Sequence, residues 1–370
     1  MIKAHRIRLN PTTEQAEYLR RACGVSRFVY NWGLAEWKRQ YEAGEKPSAM
    51  KLKKQFNAIK RDEFPFVMEV LRDACNDGFE KLGKSFSNFF SSVTGKRSGA
   101  KVGFPRFKSK KRSKMSFAVA NDKFWVDGHS LYVPKLGVVN MAEPLRFSGK
   151  IMSGAVSCVA GKWYVSISVD IQQPDAVEFA KESVGVDLGL KMLATLSDGV
   201  EFENQKLLRS ELSRLRSLNR GLSRKQQGSG RWWKQKKKLA TFHQRIANRR
   251  LDIIHKMTTQ IAMTYKIVGM EDLNVKGMVR NRRLALSISD AALGEIGRQL
   301  QYKKQWFGGE LQKVGRFYAS SKTCNGCGHV NRDLKLSDRR WICDGCGEIN
   351  DRDWNASKNI EEEALRLVGA

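Results

Sequence analysis

Four cysteines are spaced as two pairs, and this spacing constrains the local fold more than any other feature of the sequence. Cys324, Cys327, Cys343 and Cys346 form the pattern C-x2-C-x15-C-x2-C, which is typical of a tetrahedral zinc site. Because four thiolates fill every position around the metal, the predicted zinc is structural and leaves no position for a reactive water. His329 lies just beyond the first pair and is not expected to be a ligand.

The positive charge of the chain is concentrated in two windows. Lys and Arg number 67 against 38 Asp and Glu, for a net charge of +29. Residues 96–114 carry nine basic and no acidic residues, and residues 210–250 carry thirteen basic residues and one acidic residue. One short basic run is usually a solvated face, but two that hold most of the net charge predict a surface that follows a phosphate backbone. The candidate nucleic-acid-binding residues are Arg106, Lys108, Lys110, Lys111, Arg112, Arg224, Lys225, Arg231, Lys234, Lys236, Lys237, Lys238, Arg245 and Arg249.

Aromatic residues are interleaved with both basic windows. They are Phe104, Phe107, Trp232, Trp233 and Phe242. Their rings could stack on unpaired bases, as in many single-strand-binding proteins. They could equally anchor a basic segment to the protein core, and the sequence leaves both interpretations open.

The remaining features predict a protein of the cytoplasm. No stretch approaches the roughly 20 apolar residues that span a bilayer, and the first ten residues lack the apolar segment of a signal peptide. Cys23, Cys75 and Cys158 are isolated from one another and are expected to be buried thiols in a reducing compartment. We expect no membrane partner, and a monomer is favoured.

The N-terminal half alternates between strand and helix patterns. Residues 2–9 predict a strand that ends at Asn10-Pro11, and Thr12 or Thr13 is suited to cap a helix. Residues 14–94 have helix-like apolar spacing, whereas short strands follow from about 115 to 171. The simplest account is a small β-barrel or sandwich interrupted by a helical insertion, with a domain boundary at Gln172-Gln173-Pro174.

The C-terminal half predicts an α/β layer. A strand and a hairpin are expected within 183–204, followed by long helices at about 205–226 and 232–264. Another buried strand covers 266–273, a helix is expected near 289–305, a strand at 311–318, and a final helix from about 353. Strands that alternate with helices in this order favour an RNase H-like fold. The predicted fold class is therefore a multidomain α+β protein whose C-terminal half is an RNase H-like α/β domain.

Carboxylates occur at two strand positions where an unpaired charge is costly. Asp187 lies within the apolar run SVGVDLGL, and its flanking glycines leave room for a ligand to approach the backbone. Glu271 lies near the end of KIVGMEDL, while Asp272 faces the opposite way and is a supporting candidate. A third acid must come from Asp351 or Asp353, one of which could simply cap the last helix. Singly, each acid is more often structural than catalytic.

Together, three such acids suit a hard divalent cation, Mg²⁺ or Mn²⁺. In a basic protein the expected chemistry is phosphodiester hydrolysis with two metals about 3.5–4 Å apart. The five histidines are scattered, and none lies in a nucleophile motif.

The sequence resembles a known family through several motifs. GVDLGL, GMEDLN, SSKTCNGCGHV and WICDGCGEINDRDWNASKNI resemble the RuvC-like nuclease domain of the TnpB (OrfB) proteins of bacterial transposons, which are related to type V CRISPR effectors. LNPTTEQ, SRFVYNWGL, GFPRFKSKK and SLYVPKLG extend the resemblance over essentially the whole chain. The departures, at Trp354, Ser357 and Met270, remove no carboxylate, so a nuclease-dead regulator is not expected.

The resemblance implies an RNA-guided DNA endonuclease. A transposon-derived guide RNA would pair with double-stranded target DNA beside a short adjacent motif, and one RuvC-like site would cut both strands. The implied catalytic and Mg²⁺-binding residues are Asp187, Glu271 and Asp353, with Asp353 preferred because it precedes Trp354-Asn355-Ala356. The implied location is the bacterial cytoplasm, in association with the nucleoid.

The resemblance also implies a domain plan. A wedge-like β-barrel would comprise 1–13 and 96–174, and a helical recognition lobe 14–95. A RuvC-like domain would comprise 175–370, with a zinc ribbon at 320–350 within it.

Two other functions remain open from the sequence. A DNA-strand-transfer transposase would use the same carboxylates but join element ends without a guide. A non-enzymatic zinc-ribbon regulator of nucleic acid would keep its function after Asp187 is replaced by Ala.

Overall fold

The computed structural model describes residues 1–172, 177–335 and 337–369. The chain divides into two compact units, Met1–Gln173 and Pro174–Ala370. Residues 173 and 174 of the predicted boundary lie outside the described residues, as do residues 175, 176, 336 and 370 of the predicted domains. No helix of the described ranges is both long enough and apolar enough to cross a membrane.

The first unit is built on a seven-stranded sheet. Its strands are β1 (Ile2–Asn10), β2 (Met115–Ala120), β3 (Trp125–Asp127), β4 (Ser130–Val133), β5 (Gly137–Met141), β6 (Lys150–Val159) and β7 (Lys162–Asp170). They are ordered β2-β6-β7-β1-β5-β4-β3. The alternate residues of β1 are buried, as its polar–apolar alternation predicts, and it pairs antiparallel with β7 and β5. No ladder joins β2 to β3 among the strands described, so closure into a barrel stays a prediction.

Helices occupy the chain between β1 and β2. They are α1 (Thr13–Glu42), α2 (Ala49–Ile59) and α3 (Arg72–Val93), with a short 3₁₀ helix at Pro65–Glu69. Thr12 caps α1, because its side chain accepts from the N–H of Gln15 while the Gln15 side chain accepts from the N–H of Thr12. Phe56, Phe79 and Phe86 from α2 and α3 are buried in one core with the sheet residues. The helical prediction for 14–94 is thereby confirmed.

The second unit contains a five-stranded sheet ordered β10-β9-β8-β11-β12. Its strands are β8 (Lys181–Asp187), β9 (Met192–Leu196), β10 (Glu201–Glu203), β11 (Tyr265–Glu271) and β12 (Glu310–Val314). β8, β11 and β12 run parallel, whereas β9 and β10 form an antiparallel hairpin beside β8. The predicted strand, hairpin and second buried strand are all confirmed.

Six helices connect these strands. They are α4 (Leu207–Ser210), α5 (Leu212–Ser223), α6 (Gly230–Thr264), α7 (Val275–Met278), α8 (Ala285–Ala291) and α9 (Leu293–Phe307). The helix expected at 205–226 is broken at Glu211, which ends α4 and begins α5. The buried carboxylate of Asp290 accepts from the N–H groups of Leu208 and Arg209 and thereby caps the short first piece. The long helix at 232–264 is confirmed.

The cysteine segment and one more helix complete the unit. β13 (Arg340–Ile342) and β14 (Ile349–Asp351) form a two-stranded ribbon, and α10 (Arg352–Val368) follows directly. Helix α10 packs on β8 and β11 at two glycines. A Cβ at Gly185 would lie 2.6 Å from the N of Glu361, and one at Gly269 would lie 2.9 Å from the carbonyl oxygen of Ile360. Glycine at these two positions therefore lets the helix backbone approach the sheet.

Candidate functional site

Asp187 and Glu271 lie at the ends of neighbouring parallel strands. Gly269 pairs with Gly185 and Met270 with Val186 in the ladder between β11 and β8, so the two acids occupy the next positions on each strand. Carboxyl ends of parallel strands share one edge of the sheet, and alternation places both side chains on one face. The pattern of strand residues therefore brings these two acids together.

Asp353 reaches the same site from the first turn of α10. Asp351 is the N-cap, since its Oδ1 accepts from the N–H groups of Asp353 and Trp354 at 3.2 Å. Capping thus accounts for Asp351 and leaves the carboxylate of Asp353 for other partners. The sequence allowed either acid to cap, and the structure assigns that role to Asp351.

The pKa of Asp187 reflects the proximity of the three acids. Burial, and after it the charges of Glu271 and Asp353, raise the pKa of Asp187 to about 7, against smaller lowering effects of Arg352 and Arg339. A carboxyl group that holds its proton near neutral pH because of burial and like charge is typical of a functional site. Three acids in such a field fit a divalent cation, whose charge would relieve the repulsion.

The three carboxylates are not drawn together to the spacing of metal ligands. In the described residues, only the four cysteines form a group of three or more possible metal ligands with all ligand atoms within 4.8 Å of one another. The three carboxylates do not form such a group. Glu271 Oε1 accepts from Ser320 Oγ at 2.5 Å, and Asp353 is held by Arg339 at 2.9 Å. Each of these two acids is therefore engaged by a protein partner.

Ser320 and Arg339 are site residues that the sequence did not reveal. Ser320 precedes the first cysteine pair and Arg339 precedes the second, so both lie far along the chain from the strand acids. Neither belongs to a recognisable spacing pattern; a basic residue between the cysteine pairs suggests contact with nucleic acid rather than with Asp353. Their roles follow only from the fold.

The expectation for the flanking glycines was partly wrong. Gly185 and Gly189 were expected to leave room for a ligand beside Asp187. The space at Gly185 is instead filled by the backbone of α10, and a Cβ at Gly189 would lie 2.8 Å from the carbonyl oxygen of Met192. Because Gly185 admits the backbone of α10, it helps to place Asp353 near the strands, whereas Gly189 admits the backbone of Met192.

Asp272 points to a different partner from Glu271. Its Oδ2 accepts from Arg316 Nη2 at 2.7 Å, and its carbonyl oxygen accepts from Arg316 Nε at 3.2 Å. A cavity of about 300 Å³ adjoins Glu271, and its lining includes Lys276 and Lys313, which form no ion pair with any of the described side chains. The site therefore combines an acidic centre with adjacent positive charge, as an enzyme that acts on a phosphodiester would require.

The cysteines form a compact group of four sulfur atoms. Cys324 Sγ lies 3.7 Å from Cys346 Sγ, and Cys327 Sγ lies 3.5 Å from Cys343 Sγ. Four sulfurs at 2.3 Å from a tetrahedral zinc would be about 3.8 Å apart, so the donor set fits this metal. Gly328 and Gly347 have φ near +75°, and each donates its N–H to the carbonyl oxygen of the first cysteine of its pair.

Two asparagines of α10 connect the cysteine segment to the acidic site. Asn355 and Asn359 are buried, and both donate to the carbonyl oxygen of Thr323 at 2.7 Å. Asn359 also donates to the carbonyl oxygen of Ser320 at 2.7 Å. The segment that holds the first cysteine pair is thus tied to the helix that carries Asp353.

The predicted nucleic-acid-binding residues are almost all on the surface. Lys108, Lys225 and Lys236 are partly buried and the other eleven are exposed. None of the fourteen forms an ion pair with an acidic side chain in the part of the chain that the structure describes. On α6, Lys234, Lys237, Lys238 and Arg245 line one cavity of about 730 Å³ together with Arg214, a residue of α5 that the candidate set did not include.

The aromatic residues divide between the two roles that the sequence left open. Phe242 is buried in a small core with Leu215 and Ile246 and therefore anchors α6. Phe107 and Trp233 are 55% and 44% exposed, and Lys236 lies over the ring of Trp233 at 5.0 Å. These exposed rings remain candidates for stacking.

Comparison with family models matches three parts of the chain. Residues 166–282 match the OrfB model described as "Probable transposase", 294–360 match "Cas12f1-like, TNB domain", and 1–46 match "Helix-turn-helix domain". Residues 1–46 form a strand followed by one uninterrupted helix in this structure. They therefore do not contain the two helices that a helix-turn-helix requires.

Curated relatives align along nearly the full chain. A "Putative RNA-guided DNA endonuclease" of Streptomyces pristinaespiralis is 36% identical over 97% of this chain and 88% of its own length. Similarly described proteins of Mycobacterium tuberculosis and Escherichia coli K12 are each 31% identical, over 100% and 97% of this chain and 88% and 91% of theirs.

Solved structures share the fold at low sequence identity. A Cas12f1 complex with guide RNA and target DNA matches with a TM-score of 0.56 at 16% identity, over 94% of this chain and 83% of its own. A CRISPR-Cas_phi3 endonuclease matches at 0.54 and 9% identity, over 99% and 92%. The resemblance seen in the sequence motifs is thus confirmed, and the chain belongs to the TnpB (OrfB) family.

Proposed function

We propose that this protein is an RNA-guided DNA endonuclease that hydrolyses double-stranded DNA with divalent metal ions. The observation that carries the proposal is the clustering of Asp187, Glu271 and Asp353, in which burial and like charge raise the pKa of Asp187 to about 7. The "RNA-guided DNA endonuclease" descriptions of relatives that align along the whole chain support the same activity. The proposed partners are a transposon-derived guide RNA and a target duplex with a short adjacent motif.

In this proposal Asp187, Glu271 and Asp353 would hold Mg²⁺ or Mn²⁺. When bound there, such an ion would supply Lewis acidity to activate a water molecule and to stabilise the charge on the leaving oxygen. Ser320 positions Glu271 through its hydrogen bond, and α10 brings Asp353 to the strand ends. Basic residues beside Glu271, such as Lys276, would attract the DNA backbone.

Zinc has a structural role in the proposal. The four cysteines would hold one Zn²⁺ and fix the segment that Asn355 and Asn359 contact. The domain plan is proposed as predicted, with a wedge-like barrel at 1–13 and 96–174, a recognition lobe at 14–95, and a RuvC-like domain at 175–370 with a zinc ribbon at 320–350. Association with the nucleoid would follow from binding DNA.

The test begins with the RNA that co-purifies with the protein. A single abundant RNA that ends in a variable segment is expected, and the complex should cut a matching duplex in Mg²⁺ but not in EDTA. Glu271→Gln should abolish cutting while duplex binding persists. Asp272→Asn is the matched control because its carboxylate pairs with Arg316, and it should cut at nearly the normal rate.

The alternative functions give different products. If the protein joins the ends of the transposon to DNA in the absence of any RNA, it is a strand-transfer transposase. Undiminished function in both Asp187→Ala and Glu271→Gln would leave only a nucleic-acid-binding regulator.

A further inference from the structure

A polar cleft in the first unit is lined by an unusual concentration of basic side chains. It has a volume of about 400 Å³ and lies between α1, α3 and the segment that leads into β2. Its basic residues are Arg27, Lys81, Lys84, Lys108 and Lys114, and serines supply much of the rest of the lining. Lys108 is the one member of this set that also belongs to the predicted nucleic-acid-binding residues.

Lys81 is occupied by internal partners. Its ammonium lies 2.6 Å from Asp77 Oδ2 and donates to the carbonyl oxygen of Ser116 at 2.8 Å. Asp77 is buried and also accepts from Ser26 Oγ at 2.5 Å. This network neutralises one of the five cations and joins α1, α3 and β2 behind the cleft.

The other four cations lack acidic partners. Arg27, Lys84, Lys108 and Lys114 form no ion pair with any side chain that the structure describes. The cleft therefore carries about four uncompensated positive charges at neutral pH. Like charges brought this close repel each other, so a bound anion would stabilise the arrangement.

Lys108 is held in place rather than free in solvent. Asn31 donates to the carbonyl oxygen of Lys108 at 2.9 Å and accepts from its N–H at 2.8 Å. Its ammonium lies 3.5 Å from the centre of the Tyr30 ring. Burial, followed by the charge of Lys81, lowers the pKa of Lys108 to about 8. A cation fixed at both its backbone and its head group is pre-organised for a ligand.

We propose that this cleft binds a phosphodiester group of a nucleic-acid backbone through its four unpaired cations, Arg27, Lys84, Lys108 and Lys114. The proposal rests on the proposed function for its choice of ligand, because both guide RNA and target DNA carry this group. Four cations with serine hydroxyls suit an oxyanion that accepts several hydrogen bonds. Nearby Phe104 and Phe107 are exposed, but the cleft itself contains no aromatic platform for a base.

The sharpest variant is Ser113→Glu, which places a carboxylate in the cleft and removes no cation. Ser113 lines the cleft, so a glutamate at this position could form ion pairs with the lysines that lack acidic partners. The Tm of the full chain should stay equal or rise, whereas affinity for backbone phosphate should fall at least fivefold. A cleft of merely solvated lysines would give no loss of affinity.

A second variant removes charge from the rim. Lys84→Gln/Lys114→Gln should lower affinity and make the dependence of log Kd on log salt shallower by about one to two. Lys51→Gln/Lys54→Gln is the matched control, since it removes two exposed charges from α2 in the same unit. The control should change affinity less than twofold.

Fluorescence anisotropy with two labelled probes separates the sources of the phosphate. The full chain, freed of RNA by high salt, is titrated with a mixed-sequence 30-nucleotide RNA and with a 30-base-pair DNA duplex. A loss with RNA alone assigns the cleft to the guide, and a loss with the duplex alone assigns it to the target.

If Ser113→Glu and the lysine variant bind both probes as the control does, the proposal is overturned. The readout is independent of cutting, so a chain that binds but never cleaves would refute the proposed function and leave this cleft standing.

Discussion

Arg339 donates from Nη1 to both carboxylate oxygens of Asp353, at 3.1 and 2.9 Å. Its backbone is fixed beside β13, because its carbonyl oxygen accepts from the N–H of Arg352 at 2.8 Å. A residue of the cysteine segment thus neutralises an acid that we assign to metal binding. A guanidinium and a metal ion would compete for the same oxygens.

Replacing Arg339 should therefore strengthen metal binding. Arg339→Gln removes the competitor, and since a partly exposed ion pair is worth up to about 1 kcal/mol, Mg²⁺ affinity should rise by up to about fivefold. Isothermal titration calorimetry on the RNA-free protein measures this directly. Arg340→Gln, which removes a neighbouring exposed charge, is the control, and equal affinities in the two variants would contradict the prediction.

The pKa of Asp187 predicts a pH dependence of stability in the absence of metal. The unfolded chain loses this proton near pH 4, whereas the folded protein keeps it to about pH 7. The folded state thus binds more protons between these values, so the contribution of Asp187 to stability falls as pH rises from about 4 to 7.

Asp187→Asn should remove that dependence. In EDTA, the Tm of this variant should exceed that of the unmodified protein, and the excess should be larger at pH 8 than at pH 5. Each kcal/mol gained in the free energy of unfolding should raise the Tm by about 2–4 °C. DNA cleavage should be lost at the same time. Differential scanning calorimetry at the two pH values provides the measurement, and an equal Tm difference at both would argue against the raised pKa.

The close approach of α10 makes Gly185 intolerant of any side chain. Gly185→Ala forces a Cβ against backbone atoms of α10, so we expect a loss of at least about 2 kcal/mol in the free energy of unfolding. Gly230→Ala in α6, where nothing lies within 4 Å of the new Cβ, should change it by less than about 0.5 kcal/mol. Urea denaturation of both variants tests this, and similar midpoints would disprove it.

The cysteine group predicts one zinc ion per chain. Cys343→Ser should lose the metal and expose the segment around residues 320–351 to limited proteolysis, because the contacts of Asn355 and Asn359 with that segment would loosen. Cys75→Ala, at a buried cysteine outside the group, should keep its zinc. Elemental analysis that finds no zinc in the unmodified protein would refute the prediction.

Local periodicity was enough to predict most strands and helices. The alternation in residues 2–9 and the apolar spacing in 232–264 correspond to β1 and α6 because each reflects burial of one face. The acids of the site were also recognisable, since charge inside an apolar strand is exceptional.

Long-range partners could not be predicted in the same way. The contact between Ser320 and Glu271, and that between Arg339 and Asp353, join residues that no local pattern relates. The break at Glu211 has a similar cause, because Asp290 supplies the cap from a distant helix. The hydrogen bonds between the Asn31 side chain and the backbone of Lys108 likewise depend on how α1 packs against a loop 77 residues away.

The packing of α10 against Gly185 and Gly269 has a consequence for biosynthesis. A ribosome releases Asp187 first, Glu271 much later, and Asp353 only after the cysteine segment has emerged. Asp187 and Glu271 are therefore both synthesised before the helix that completes their edge of the sheet. The acidic cluster can form only after α10 has emerged, so the nascent chain lacks the capacity to cut the DNA from which it is being expressed until that helix is made.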